Sequence, residues 1–295
     1  MSSFTVPADH YLLVDRLHIR YWCMGGETEP GGGEPDSTII LLHGGTGSIE
    51  FWVYNMAVLA RSHRVYAFDM VGSGRSDRPS ASYSLTYQAR FLESLMKAWE
   101  IPRATLIGTS MGGGVALQFT LMYPDRVDKL VLVDSMGFGR EINLGIRLIS
   151  LPGIWRSLRP GRWMIPGMLR ANFYNGSSIS SAWVELRYQI FALPGRERAI
   201  GELGRTNFNL RGVRPEIYQP ILQNLHQIKQ ETLIIWGEND RIIPVKHGHI
   251  AAARIPNSQL SLFAQCGHHP YLEHPDRFNQ LVLNFLAKPP LPYLG

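Results

Sequence analysis

At 295 residues and 45% hydrophobic, the chain can bury one large core, and a single α/β domain with an insertion fits better than two independent domains. The formal charge of +5 invites a nucleic-acid reading, but between Met136 and Leu225 twelve arginines stand against five glutamates, so the excess belongs to that segment and no nucleic-acid motif accompanies it. Two distant cysteines, Cys23 and Cys266, exclude a disulfide framework or a paired metal motif and suit a reducing cytoplasm.

The opening MSSFTVPADH lacks the basic start, apolar run and small-residue cleavage site of a secretory leader, so none is expected and a cytoplasmic location is. YLLVDRLHIRYWCM reads as a strand pair, and the Gly- and Pro-rich GGETEPGGGEPDS as a loop. TIILL is an apolar run suited to a central parallel strand, followed by HGGTGS, where Ser48 is placed to cap a helix through FWVYNMAVLA. Then come the strand HRVYAF, the loop DMVGSGRSDRP and the helix SLTYQARFLESLMKAWE. ATLI and KLVLVD are two further strands with the helix GGGVALQFTLM between them. The same rhythm returns after Leu225 with ETLIIWG, KHGHIAAAR, SQLSLF and DRFNQLVLNFLA, and KPPLPYLG reads as an extended tail. Alternating strands and helices imply an α/β fold: a mostly parallel central sheet with helices on both faces. Residues 136–225 break the alternation and read as a mainly helical cap inserted into a core made of 1–135 and 226–295. No stretch is long and apolar enough to span a bilayer.

Gly108-Thr109-Ser110-Met111-Gly112 is G-x-S-x-G between a strand and a helix, the pattern of a nucleophile elbow. A serine hydroxyl is a weak nucleophile and needs a base, with a third group to orient that base. His268, in CGHHPYLEHP, follows the last strand and directly follows Gly267; His269 is its rival, and His274 suits a structural role. For the acid, Asp240 in WGENDRIIP lies past a strand end at the same sheet edge as Ser110, with Asp134 as runner-up; Asp69 suits a turn-holding role. Oxyanion donors are expected from the backbone N–H of Met111 and that of Gly45, with Thr46 beside it. HGGTGS lacks the lysine and spacing of a phosphate loop.

LLHGGTGS, DMVGSGRSDRP, GTSMGGGVAL, PDRVDKLVLVDS, WGENDRIIP and GHHPYLEHPDRF together make the chain resemble the α/β-hydrolase superfamily over nearly all its length. Within it, DMVGSGRSDRP, MGGGVAL and LRYQIFALPG resemble the meta-cleavage-product hydrolases, which cleave a C–C bond beside a ketone in dienoates. That resemblance implies a substrate-contacting cap arginine at Arg187; Thr46, beside Gly45, and Thr109, beside Ser110, are further substrate-binding candidates. Two positions depart from the pattern: Thr109 stands where those hydrolases usually have asparagine, and His269 where they have an aromatic after the catalytic histidine.

The expected chemistry is attack by Ser110 on an ester or activated ketone carbonyl, its proton passing to His268, with water regenerating the enzyme. Cleavage of a carboxylic ester through an acyl-enzyme is the first reading and C–C hydrolysis of a meta-cleavage dienoate the alternative. A binding protein on a hydrolase scaffold and a cofactor-free perhydrolase stand behind both. No metal or organic cofactor is expected. The expected partner is a small molecule, carboxylate-bearing or an apolar ester, and a homo-oligomer stays open. A membrane-resting face between Leu148 and Arg170 is a less favoured use of the cap.

Overall fold

The computed structural model describes residues 6–26, 37–154, 161–176 and 179–287. The middle of the Gly/Pro-rich loop, the tail from residue 288, Arg156 and Arg159 lie outside the described residues. Eight strands form one sheet in the order β1-β2-β4-β3-β5-β6-β9-β10. They are β1 His10–Val14, β2 Leu17–Met24, β3 Thr38–Leu42, β4 Arg64–Phe68, β5 Ala104–Thr109, β6 Val127–Val133, β9 Glu231–Gly237 and β10 Ser258–Phe263. The β1–β2 hairpin is antiparallel and β2 joins β4 antiparallel, whereas every pairing from β4 through β10 is parallel. The hairpin turns on Asp15 and Arg16, both at positive φ (48° and 65°), as a two-residue turn matched to strand twist requires.

The central strands read as unbroken apolar runs because both of their faces are covered. On one face Ile40, Leu42, Leu106, Leu130, Leu132, Ile234 and Trp236 join one core. The helices Leu85–Ala98 and Met111–Met122 contribute Leu92, Leu95, Val115 and Phe119 to it. On the other face the alternate residues Ile39, Leu41, Ile107, Val131, Val133, Leu233 and Ile235 pack with Phe278, Val282 and Phe285 of the helix Pro275–Leu286. The period-two alternation of side chains thus fills two cores from the same strands. Ser84 caps the helix Leu85–Ala98 by accepting the Tyr87 N–H.

Between β6 and β9 the described residues form the helices Leu144–Leu148, Ile165–Arg170, Ser181–Phe191, Arg196–Asn207 and Pro215–Asn224. They also form a small ladder, β7 Phe208–Asn209 with β8 Gly212–Val213, which has no counterpart in the sequence reading. In the stretch considered as a membrane-resting face, Trp163 is 81% exposed and Met168 is exposed too, while 155–160 lie outside the described residues. Among the described residues no helix is long and apolar enough to cross a membrane.

One local expectation fails. Residues 49–59 do not form a single helix: a 3-10 turn, Ile49–Trp52, is followed by a separate short helix, Met56–Leu59, and the Ser48 side chain makes no capping hydrogen bond. Asp69 shapes this segment instead. Its Oδ1 accepts the Ile49 N–H at 2.8 Å, while its Oδ2 accepts the Arg75 N–H at 2.8 Å and faces Arg20 Nη1 at 3.2 Å.

Candidate active site

Ser110 sits where β5 turns into the helix Met111–Met122, with φ 54° and ψ −119°. A non-glycine residue held there stores roughly 1–3 kcal/mol of strain, which the surroundings must impose. They do so through the Ser110 N–H, which donates to Val133 O at 2.9 Å, and the Ser110 carbonyl, which accepts from the N–H groups of Met136 (3.0 Å) and Gly114 (3.1 Å). The flanking glycines are steric necessities. A Cβ on Gly108 would lie 2.4 Å from Gly112 O, and one on Gly112 would lie 2.4 Å from Leu42 O.

The oxyanion loop follows β3 and lies against this elbow. A Cβ built on Gly44 would sit 3.2 Å from Ser110 Cβ, and one on Gly45 would sit 3.5 Å from Met111 Sδ. Met111 is the first residue of its helix, so its N–H has no acceptor one turn back and faces outward with the positive helix end. His43, fully buried, ties the loop down: Nδ1 contacts Gly44 O at 2.7 Å, and Nε2 accepts the Met70 N–H at 3.0 Å. That pair of bonds uses the neutral imidazole, and burial pushes its pKa down to about 4.

His268 and Asp240 come together across the sheet edge, with His268 Nδ1 2.8 Å from Asp240 Oδ2. The other Asp240 oxygen accepts the N–H groups of Ile242 (2.7 Å) and Ile243 (3.1 Å), which orients the carboxylate. With Nδ1 donating to the acid, His268 Nε2 is the nitrogen left to accept a proton. Asp134 follows Val133, the residue whose carbonyl holds Ser110, and it lies within 4.8 Å of Asp240 and His268. Its Oδ1 accepts the Gly237 N–H at 2.9 Å. Burial and the neighbouring Asp240 push its pKa well above the ordinary carboxylate value. Two acids and a histidine at this spacing can resemble a metal set, but here Asp240 spends its oxygens on His268 and two backbone N–H groups.

The loop carrying His268 is braced by a residue that sequence reasoning missed. Glu273 Oε1 accepts the N–H groups of Gly267 (2.9 Å) and His269 (3.3 Å), and Oε2 accepts the N–H of Tyr174 at 2.7 Å. The His268 N–H itself donates to Asn172 O at 2.7 Å. His269, the rival histidine, is buried, and its ring is bonded through Nδ1 to Tyr271 Oη at 3.0 Å and not to Asp240. Burial, His268 and Arg187 hold its pKa well below the ordinary value, so it is neutral and packs edge-on against Phe51 and Phe173. His274 lies outside this group, with Nε2 3.3 Å from Gln265 O.

Arg187, from the helix Ser181–Phe191, is only 5% exposed. Its Nη2 donates to Thr46 O at 2.8 Å, and its guanidinium lies 4.9 Å from the Phe51 ring centre and 5.0 Å from that of Phe191. Burial lowers its pKa to about 10. Arg196, which sequence reasoning did not single out, donates from Nη2 to the same carbonyl at 2.7 Å. Thr46 thus meets both arginines through its backbone carbonyl, whereas Thr109 is fully enclosed at the end of β5. A signal for Arg196 existed in the sequence: LPGR opens a helix with a cation, against the helix dipole.

Among known proteins, the profile described as alpha/beta hydrolase fold matches residues 37–275. The 2-hydroxy-6-oxononadienedioate/2-hydroxy-6-oxononatrienedioate hydrolase of Escherichia coli K12 is 33% identical over 263 residues, covering 87% of this chain and 89% of that protein. An uncharacterised protein of Mycobacterium tuberculosis is 34% identical over 262 residues, covering 84% of this chain and 74% of its own. The solved meta-cleavage product hydrolase of Pseudomonas fluorescens IP01 superposes with a TM-score of 0.79 at 26% identity, over 94% of this chain and 97% of that one. With the sheet order, the glycine-flanked serine at the strand-to-helix turn and these likenesses in agreement, the chain belongs to the α/β-hydrolase family of serine hydrolases.

Proposed function

We propose that this protein hydrolyses the C–C bond beside the ketone of a 2-hydroxy-6-oxo-dienoate, with Ser110 as nucleophile, His268 as general base and acid, and Asp240 orienting the imidazole. This reverses the order in which the sequence alone ranks ester and C–C cleavage. The observation that carries it is Arg187, a buried cation above the oxyanion loop with no carboxylate within 4 Å among the described residues, and so suited to a substrate carboxylate. The named relatives, hydrolases of such dienoates, support the same choice.

In this reading the dienol first ketonises, its hydroxyl proton leaving and the far end of the conjugated chain being protonated. Ser110 Oγ then attacks the distal ketone as its proton passes to His268 Nε2. The N–H groups of Met111 and Gly45 hold the tetrahedral oxyanion, where losing one such donor costs about 2.7–4 kcal/mol in enzymes tested for it. The C–C bond breaks to a carbanion conjugated with the 2-oxo group, which His268 protonates. Water, deprotonated by His268, cleaves the acyl-serine and frees the acid. Every atom of the substrate leaves as one of two carboxylic acids, and the charge that develops is met by backbone donors and Arg187. A cytoplasmic setting belongs to the same proposal, supported by the two free cysteines.

The test is the ratio of kcat/KM for a phenyl-substituted meta-cleavage dienoate to that for p-nitrophenyl butyrate, with Ser110→Ala as the blank for both. A ratio well above one supports C–C hydrolysis. A ratio near zero with brisk ester turnover leaves a carboxylesterase, and a pocket reshaped by Thr109 and His269 would then be the reason. Activity that survives in Ser110→Ala sinks both readings.

A further inference from the structure

Two arginines from different helices of the cap converge on one backbone carbonyl. Arg187 Nη2 and Arg196 Nη2 lie 2.8 and 2.7 Å from Thr46 O, and the Phe191 ring lies beside both guanidiniums, 5.0 and 4.3 Å from its centre. Arg196 is 1% exposed, more deeply buried than Arg187. Among the described residues neither has a carboxylate within 4 Å, and Arg187 Nε, Arg187 Nη1 and Arg196 Nε are buried without any hydrogen-bond acceptor.

Glu50 and Asp69 act on Arg187, and Asp69 and Glu197 on Arg196; of these, Glu50 and Asp69 are already engaged. Glu50 Oε1 takes Arg20 Nη1 (2.8 Å) and Arg75 Nη1 (2.5 Å), and Asp69 takes Arg20 and two backbone N–H groups. A simple brace between cap and loop would need only one neutral donor from each helix. Two adjacent buried cations with spare N–H groups are instead unfavourable until an anion arrives. Arg196 adds to that imbalance, because it is the first residue of the helix Arg196–Asn207, where the helix dipole repels a cation. Burial and the charge of Arg187 both push its pKa well below the ordinary arginine value.

We infer that Arg196 is a second cation of the substrate site, and that with Arg187 it selects a substrate end bearing a carboxylate with an oxygen on the adjacent carbon, as in 2-oxo and 2-hydroxy-2-enoic acids. Because both guanidiniums meet at Thr46 O, they serve one end of a ligand and not two remote carboxylates. Thr46, at φ 59°, presents that carbonyl two residues from Gly44, so the anion is held beside the oxyanion loop. Arg196 is therefore a specificity-determining residue. The inference rests on the dienoate reading for its substrate but makes its own claim about anions.

The experiment measures competitive inhibition of p-nitrophenyl butyrate hydrolysis by phenylpyruvate, by 3-phenylpropionate, which lacks the neighbouring oxygen, and by the neutral phenylpyruvamide. The wild type is expected to bind them in that order, tightest first. Arg196→Gln is expected to raise the phenylpyruvate Ki tenfold or more and to draw its ratio to the phenylpropionate Ki towards one, with Arg196→Lys recovering part of the loss. Unchanged inhibition in Arg196→Gln, or a wild type that binds the amide as well as the acids, overturns the inference. Should Arg196→Gln fail to fold, or ester turnover be too slow to read, the wild type decides by thermal shift: phenylpyruvate raises Tm and the amide does not, and equal shifts or none overturn it. If the dienoate is not turned over while the acids still discriminate through Arg196, the C–C reading fails and the anion site stands.

Discussion

His268 Nδ1 lies 2.8 Å from Asp240 Oδ2, and a second carboxyl, Asp134, stands within 4.8 Å of the same pair. The two acids differ in contact: Asp240 Oδ2 meets the imidazole, whereas Asp134 Oδ1 accepts the Gly237 N–H. Asp240→Asn leaves the imidazole without the acceptor that sets its tautomer, and kcat is expected to fall by about 10⁴-fold, the size of effect known for such a change in another serine hydrolase. Asp134→Asn keeps an amide oxygen to accept the Gly237 N–H and leaves the His268–Asp240 bond in place, so kcat is expected to fall by roughly tenfold at most. Steady-state kinetics on both variants checks this; equal losses would mean that Asp134 supports the imidazole as much as Asp240 does.

The neutral His43 predicts acid lability. Its folded pKa of about 4 lies below the unfolded value near 6.5, so between those pH values the unfolded chain binds more protons than the folded one. The stability it contributes is therefore complete above about pH 6.5 and is lost as the pH falls towards 4, by about 3 kcal/mol. Urea unfolding at pH 7.5, 5.5 and 4.5 reads the slope, and His43→Asn is expected to flatten it. Equal slopes in the two proteins would remove His43 as the cause.

Glu273 braces the catalytic loop through three backbone N–H groups. Glu273→Gln turns one acceptor into a donor that faces an N–H, and a stability loss of about 1–3 kcal/mol is expected. A tenfold or larger drop in kcat should accompany it, with a smaller change in KM, since the loop carries the base. Chemical denaturation and kinetics together check it; lower stability with intact kcat would make Glu273 a fold residue only.

Two glycines near the nucleophile should respond differently to a methyl group. Gly108→Ala drives a Cβ to 2.4 Å from backbone, and a loss of about 4 kcal/mol or more is expected, enough to prevent soluble expression. Gly45→Ala places its Cβ in ordinary contact, 3.5 Å from Met111 Sδ, so the protein should fold with a Tm within a few degrees of wild type. Thermal melts compare the two directly.

Most of the sheet and the glycine-flanked turn at Ser110 are legible because the physics is local. Strands such as TIILL and ETLIIWG are buried on both faces and so read as apolar runs, and G-x-S-x-G carries its own steric reason. Asp240 and His268 could be placed because each follows a strand ending on the same edge. The unread features depend on long-range contact. Arg187 is named only through the family resemblance, and nothing in the spacing of twelve arginines says that it and Arg196 meet at Thr46, 141 and 150 residues away. Glu273 acts on main-chain groups whose positions only folding sets. Ser48 looked like a helix cap, but Asp69 takes over the following N–H and bends the segment into two short turns.

The N–H of His268 donates to Asn172 O, and that of Tyr174 to Glu273 in the same loop, so the proposed general base is tied to the segment between β6 and β9. Were the proposed cap to lift for product release, it would pull on these two bonds and loosen the imidazole with it, so hydrogen exchange at the His268 N–H is expected to slow when product is bound, and an unchanged rate would disconnect the two.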